Sequence, residues 1–227
     1  VLERLQDGAF RLQAPLPRRD PLRDWRRVMD ANPGMLPELT VLRVLGNQLP
    51  DLLRGRTDLP TALAGAGGAV DHLMQSGPSV LAANHLLAQA VAAAIAPVPA
   101  GRRLRILELA GRAGGLAQHV LPRLQGRATR YVLSDRTTEG FGRAEKALFD
   151  HRDIAFATLD PDADPLTQGF EAQSFDLILG LDALRPCSNP AQALEGLRGL
   201  LAPGGILALA ELPAPTPWAM LVLGLTE

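Results

Sequence analysis

"LRILELAGRAGG", residues 104 to 115, decides the fold. A six-residue run of strand character enters a glycine-rich turn, and the turn opens a helix; Arg112 stands where such turns usually carry glycine. Working outward, further short apolar runs lie at "RYVLSD" (130–135), "IAFATLD" (154–160), "FDLILGL" (175–181) and "GILALAEL" (205–212). Helical patterns fill the gaps over 115–124, 142–150 and 190–201. Such alternation predicts a parallel sheet covered on both faces. "LAPGG" (201–205) reads as a helix C-cap that turns straight into the last strand. The expected fold class is α/β, a Rossmann-like open sheet whose ligand crevice lies beyond the carboxyl ends of the strands.

Upstream the grammar is different. From Pro21 to about Ile95 apolar residues recur at helical spacing, as at Leu22, Trp25, Val28 and Met29. Asn32-Pro33-Gly34 predicts a turn, Gly55 a C-cap, and the glycines at 65–68 a flexible connection before a last helix over 79–95. "PVPAGRR" reads as the linker, dividing the chain into a helical N-terminal lid subdomain, residues 1–97, and a sheet core, residues 98–227. Val1 and Glu227 read as cuts inside a longer polypeptide, with the core truncated within "WAMLVLGLTE", a helix expected to lie on the sheet.

The formal net charge of −1 lacks the basic excess that phosphate backbones select, so nucleic acid is not an expected partner. Cys187 is the single cysteine, which excludes an internal disulfide and suits a reducing cytoplasm. His72, His85, His119 and His151 have no metal-ligand spacing, and no metal is expected. No stretch of 18 uninterrupted apolar residues occurs, so neither a membrane span nor a signal peptide is expected.

One candidate site emerges from the residues alone: the turn after residue 109, Asp135 and Asp160 ending the next two strands, and Glu211 ending the last. A carboxylate at the second strand end suits a ribose diol, though an acid there is as often a cap. At this point the chain resembles the methyltransferase domains of modular polyketide synthases. The resemblance runs nearly end to end, through "MLPELTVLRVLGNQLPDLLRG", "MQSGPSVLAANHLLAQAV", "LRILEL", "HVLPRL", "YVLSD", "FATLDPDADPLTQGFEAQSFDLIL", "LRGLLAPGGILALAE" and "VLGLTE". It implies a class I methyltransferase fold, S-adenosylmethionine (SAM) as cofactor, and methylation of the α-carbon of a carrier-bound β-ketoacyl chain.

Three motifs depart from the family. Its turn usually reads E-x-G-x-G-x-G-G; here it is Glu108-Leu109-Ala110-Gly111-Arg112-Ala113-Gly114-Gly115. A side chain at 110 narrows the approach of backbone to cofactor and costs about 1–2 kcal/mol if φ is positive. Arg112 would start inside the cofactor's space, and its charge beside a sulfonium roughly 5 Å away would cost on the order of 3 kcal/mol at an effective dielectric of 20. After the fourth strand the family reads A-N-V-L-H-A-T, its histidine the general base and a strand-five glutamate orienting it. Here Leu181-Asp182-Ala183-Leu184-Arg185-Pro186-Cys187 keeps Glu211 as a vestige and puts Arg185 at the histidine's place. A guanidinium has no acceptor lone pair and cannot take the proton. The lid motif Y-x-D-S-P-x-x-R-x-x-N keeps Pro78 and Asn84 but reads Met74 and Leu81 for tyrosine and arginine.

The expectation is a pseudo-methyltransferase: no catalytic residue, no bound cofactor, and a vestigial pocket of Glu108, Ala110, Arg112, Gly114, Asp135 and Asp160. Arg112 is expected to reach Asp135, Asp160 or Glu108 and fill the space, and Cys187 to be a packed or idle thiol. Expected partners are neighbouring domains of a polyketide synthase and an acyl carrier protein, the latter facing the basic stretches at 18–27 and 101–105. The rival is an active SAM-dependent C- or O-methyltransferase with a divergent turn, for which His85 is the nearby candidate base. A nicotinamide-binding domain is disfavoured, because G-x-G-x-x-G is absent.

Overall fold

The computed structural model describes residues 2–5, 10–12, 20–64, 68–111, 114–151 and 153–211. Two short antiparallel strands, β1 (Leu2–Arg4) and β2 (Phe10–Leu12), precede five helices. These are α1 (Pro21–Ala31), α2 (Leu36–Leu52), α3 (Leu59–Ala64), α4 (Ala69–Ser76) and α5 (Pro78–Ile95). Asp20 caps α1 by accepting from the amides of Leu22 at 3.0 Å and Arg23 at 3.3 Å. Asn32-Pro33-Gly34 turns the chain through a short 3₁₀ segment, and Gly55 takes φ +65° just after α2. Helices α2 to α4 enclose a small core of Val41, Leu45, Leu59, Ala62 and Ala69.

The second half is the α/β unit the sequence predicts: β3 (Leu104–Leu109), α6 (Ala117–Val120), β4 (Thr129–Asp135), α7 (Phe141–Ala147), β5 (Ile154–Thr158), β6 (Phe175–Leu181), α8 (Pro190–Leu200) and β7 (Leu201–Ala210). All four strand pairings are parallel, in the order β5-β4-β3-β6-β7. The order reverses between β3 and β6, the switch point where crevices of such sheets open.

Local chemistry shortens or splits some elements. The helix expected over 115–124 is α6 followed by a 3₁₀ turn (Leu121–Leu124), because Pro122 has no amide to continue the ladder. "LAPGG" does pass straight from helix to strand, but the cap is the extended Leu201 and not a glycine. Leu201 already pairs with Phe175, the ladder is interrupted, and it resumes at Leu177 and Ile206, with Gly204 at φ +77° in the bulge.

Helix α5 joins the halves. Its buried residues Val80, Leu87, Ala88, Val91 and Ile95 lie in one cluster with Ile106, Val120, Tyr131, Leu133 and Leu179 of the sheet unit. By length and composition α5 is apolar enough to cross a membrane, but this stripe packs on the sheet as a core helix does.

Candidate functional site

The crevice is built at the carboxyl ends of β3 and β4. Glu108, 1% exposed, accepts a hydrogen bond from the Tyr131 hydroxyl and another from the Ala117 amide where α6 begins. Burial outweighs both bonds and pushes its carboxyl up to about 8, while the same burial and the nearby carboxylate hold the Tyr131 phenol well above its ordinary value. Ser134 Oγ donates to the Glu108 carbonyl at 2.7 Å, and the Gly111 amide donates to the Ser134 carbonyl at 2.8 Å. The glycine turn is thereby stitched to β4.

Within the turn, Ala110 holds φ +52°. The backbone takes the left-handed conformation that glycine adopts freely, with a methyl group on it. Gly114 is at φ +79°. A β-carbon at Gly111 would stand 2.4 Å from the Leu133 side chain, so close packing of β4 requires glycine there. Arg112 and Ala113 fall outside the described residues, and so does the expected reach of Arg112 to an acid.

Helices α4 and α5 approach this turn closely. A β-carbon at Gly115 would lie 3.1 Å from the Met74 carbonyl and 3.9 Å from Asn84 Nδ2. Met74, Gln75, Asn84, Glu108, Ala110, Gly111, Gly115 and Leu181 are among the residues lining a pocket of about 30 Å³. That is room for a water or two, against several hundred cubic ångströms for a cofactor pocket. Asn84 is fully buried there, and neither its Oδ1 nor its Nδ2 has a hydrogen-bond partner.

Asp160 is not a free cofactor ligand. Arg136, one residue beyond β4, approaches Asp160 at 2.6 Å and Asp162 at 2.9 Å, and its guanidinium also points at the Pro186 carbonyl (3.4 Å) and Cys187 Sγ (3.5 Å). The second oxygen of Asp162 accepts from the amides of Ser188 and Asn189. Arg136 therefore holds together the loops that follow β4, β5 and β6, and its bond to Asp162 depresses that carboxyl. Sequence reasoning missed Asp162 as the second acid on this arginine. The D-x-D spacing facing a strand-end arginine was the available signal. Asp135 lies half-buried at the end of β4 with interactions of its own.

After β6 the chain turns at Asp182, φ +55°. Arg185 Nε lies 3.0 Å from Asp182 Oδ1, and Glu211 Oε1 accepts from the Leu184 amide at 3.0 Å. Cys187 is buried, its sulfur toward the Ala183 carbonyl, and burial pushes the thiol up. His85 does not face the pocket: it is exposed on α5 and packs on His119, ring centroids 4.7 Å apart. Among the described residues no group of three or more metal-ligating side chains converges.

Comparison with known proteins agrees with this frame. Residues 107–207 match the methyltransferase-domain family. The chain is 29% identical over 231 residues to a non-reducing polyketide synthase of Aspergillus novofumigatus, covering 99% of this chain and 10% of that protein. It is 29% identical over 175 residues to a reducing polyketide synthase of Botryotinia fuckeliana, covering 77% of this chain and 7% of that protein. The crystal structure of the CurJ carbon methyltransferase superposes with a TM-score of 0.87 at 28% identity, over 99% of this chain and 60% of that one. The sheet unit has the class I methyltransferase fold, and the chain is similar to carbon methyltransferase structures and to segments of polyketide synthases.

Proposed function

We propose that this domain no longer transfers methyl groups and persists inside a cytoplasmic polyketide synthase for its shape, covering surfaces of neighbouring domains. The observation that carries the reading is the loop after β6. At the place where the resemblance puts a histidine stands Arg185, paired with Asp182, while Glu211 is bonded to the Leu184 amide. No proton acceptor is offered from position 185.

The remainder of the crevice supports the same reading. The small pocket of about 30 Å³ beside the turn supports a crevice that holds no SAM, and so does Arg136, which draws three loops together across the acids at the strand ends. In this reading residues 1–97 act as a lid on a core of residues 98–227, and α5 fastens it, since its buried stripe lies in the sheet's cluster.

Calorimetry with SAM and with S-adenosylhomocysteine tests the proposal. No heat at millimolar ligand is expected; micromolar binding would overturn it. The rival reading, an active methyltransferase with a divergent turn, is favoured by Ala110 keeping a glycine's φ and by the unpartnered Asn84, which a ligand could satisfy. It requires the lid to lift from Gly115 and Arg136 to release Asp160.

A further inference from the structure

The sequence places "GRRLR" on the approach to β3, and the fold adds arginines to it from elsewhere in the chain. Arg105 on β3 is paired in register with Arg130 on β4, and the Leu104 amide bonds to the Ala128 carbonyl at 2.9 Å. Arg127 Nη1 donates to the Val98 carbonyl at 2.8 Å, which ties the loop before β4 to the linker before β3. Arg123 closes the 3₁₀ turn that leads into this loop. Arg102, Arg103, Arg105, Arg123, Arg127 and Arg130 thus collect at the amino ends of two adjacent strands.

Little on the surface neutralises them. Asp176 is shared by Arg102 and Arg105. Arg103, Arg123 and Arg130 are exposed and form no ion pair among the described residues. Between residues 98 and 134 the sequence has seven arginines and one acid, Glu108, which is buried at the far end of β3. From 135 to 176 it has ten acids against four basic residues. The net charge of −1 hides a strong separation of sign.

We propose that this basic end of the sheet docks an acidic protein surface, as an interface with a neighbouring domain or protein rich in Asp and Glu. It lies at the opposite end of the strands from the Glu108 crevice, so it serves assembly and not delivery of a substrate. The proposal holds whether or not the domain is active. Residues 98–130 contain no Phe, Tyr or Trp on which a base would stack, which favours a protein over a nucleic acid.

Titration of the ¹⁵N-labelled chain with poly-L-glutamate, and in parallel with polyphosphate, tests this. Shifts confined to 102–105 and 123–130 and suppressed by salt are expected with poly-L-glutamate. The triple variant Arg103→Glu, Arg123→Glu, Arg130→Glu should bind at least roughly tenfold more weakly at an unchanged melting temperature, since these side chains are exposed and unpaired. Arg54→Glu, Lys146→Glu, Arg198→Glu, at exposed positions elsewhere, changes the net charge equally and should change affinity by less than about threefold. Equal loss in both variants would reduce the effect to net charge and overturn the proposal. So would binding of polyphosphate alone, or a self-association that the first variant abolishes.

Discussion

Glu108 is a buried acid held protonated by its surroundings, with a carboxyl at about 8 in the folded chain against 4.5 for an ordinary glutamate. Between those two values the folded state keeps a proton that the unfolded state has released, so raising the pH drives unfolding. Stability is therefore fullest below pH 4.5 as far as this group is concerned, and it falls by on the order of a few kcal/mol toward pH 8. Glu108→Gln keeps an oxygen for the Tyr131 hydroxyl and removes the titration. Its denaturation midpoint should match that of the parent near pH 5 and exceed it near pH 8; parallel pH profiles would refute the assignment. Two neighbouring residues give opposite expectations for a single methyl group. Ala110→Gly relieves a positive φ and should stabilise by about 1 kcal/mol or less, after the entropy of the added glycine is subtracted. Gly111→Ala drives a β-carbon to 2.4 Å from Leu133 and should destabilise by about 1–3 kcal/mol. Chemical denaturation of both variants tests the pair, and the same sign for both would contradict the turn's geometry.

Asp176 shows what holds elements together here. Placed one residue into β6, it accepts from the Arg105 amide, from Arg105 Nε and Nη2, and from Arg102, which links β6 to β3 and the linker. The Arg105 bond is the largest cause of its depressed carboxyl. A carboxyl lowered in the folded state gives stability above its unfolded value, and that share is lost as pH falls through the folded one. Because Arg102 and Arg105 are partly exposed, solvent screening limits the effect, and Asp176→Asn should cost about 2 kcal/mol near neutrality and less at pH 3. A cost that grew on acidification would be inconsistent with this pairing. Strands such as 104–109 and 175–181 were legible to the residue, because each is a short, mainly apolar run, broken only by Arg105, Glu108 and Asp176, and nothing local competes with it. The Arg136 clamp was less legible, since its partners come from loops 24 to 51 residues away and sequence spacing carries no record of which strand ends meet. Ala110 was legible as a departure and its positive φ was not: the residue type argued for another turn, while bonds from Gly111 to Ser134 and from Ser134 to Glu108 hold a glycine-like one.

On the scale of the molecule, the question is how the N-terminal helices stay attached to the sheet unit whose crevice they border. Helices α2 to α4 have a core of their own, but α5 contributes Val80, Leu87, Ala88, Val91 and Ile95 to the cluster that contains Ile106, Tyr131 and Leu179. Two truncations of equal chemistry should then read out differently. Leu87→Ala leaves a cavity between α5 and the sheet and should lower global stability by about 2–4 kcal/mol, raising hydrogen exchange in β3, β4 and β6 together with α5. Leu45→Ala empties part of the small core and should speed exchange mainly in α2, α3 and α4, leaving the slowest amides of the sheet close to their parent rates. The N-terminal helices would thus loosen from the outside inward while α5 stays on the sheet, and the close approach of Met74 to Gly115 would open before the core does. Identical exchange profiles for the two variants would mean that the helices and the sheet unfold as one unit, and the lid would then have no freedom to lift from the glycine turn short of global unfolding.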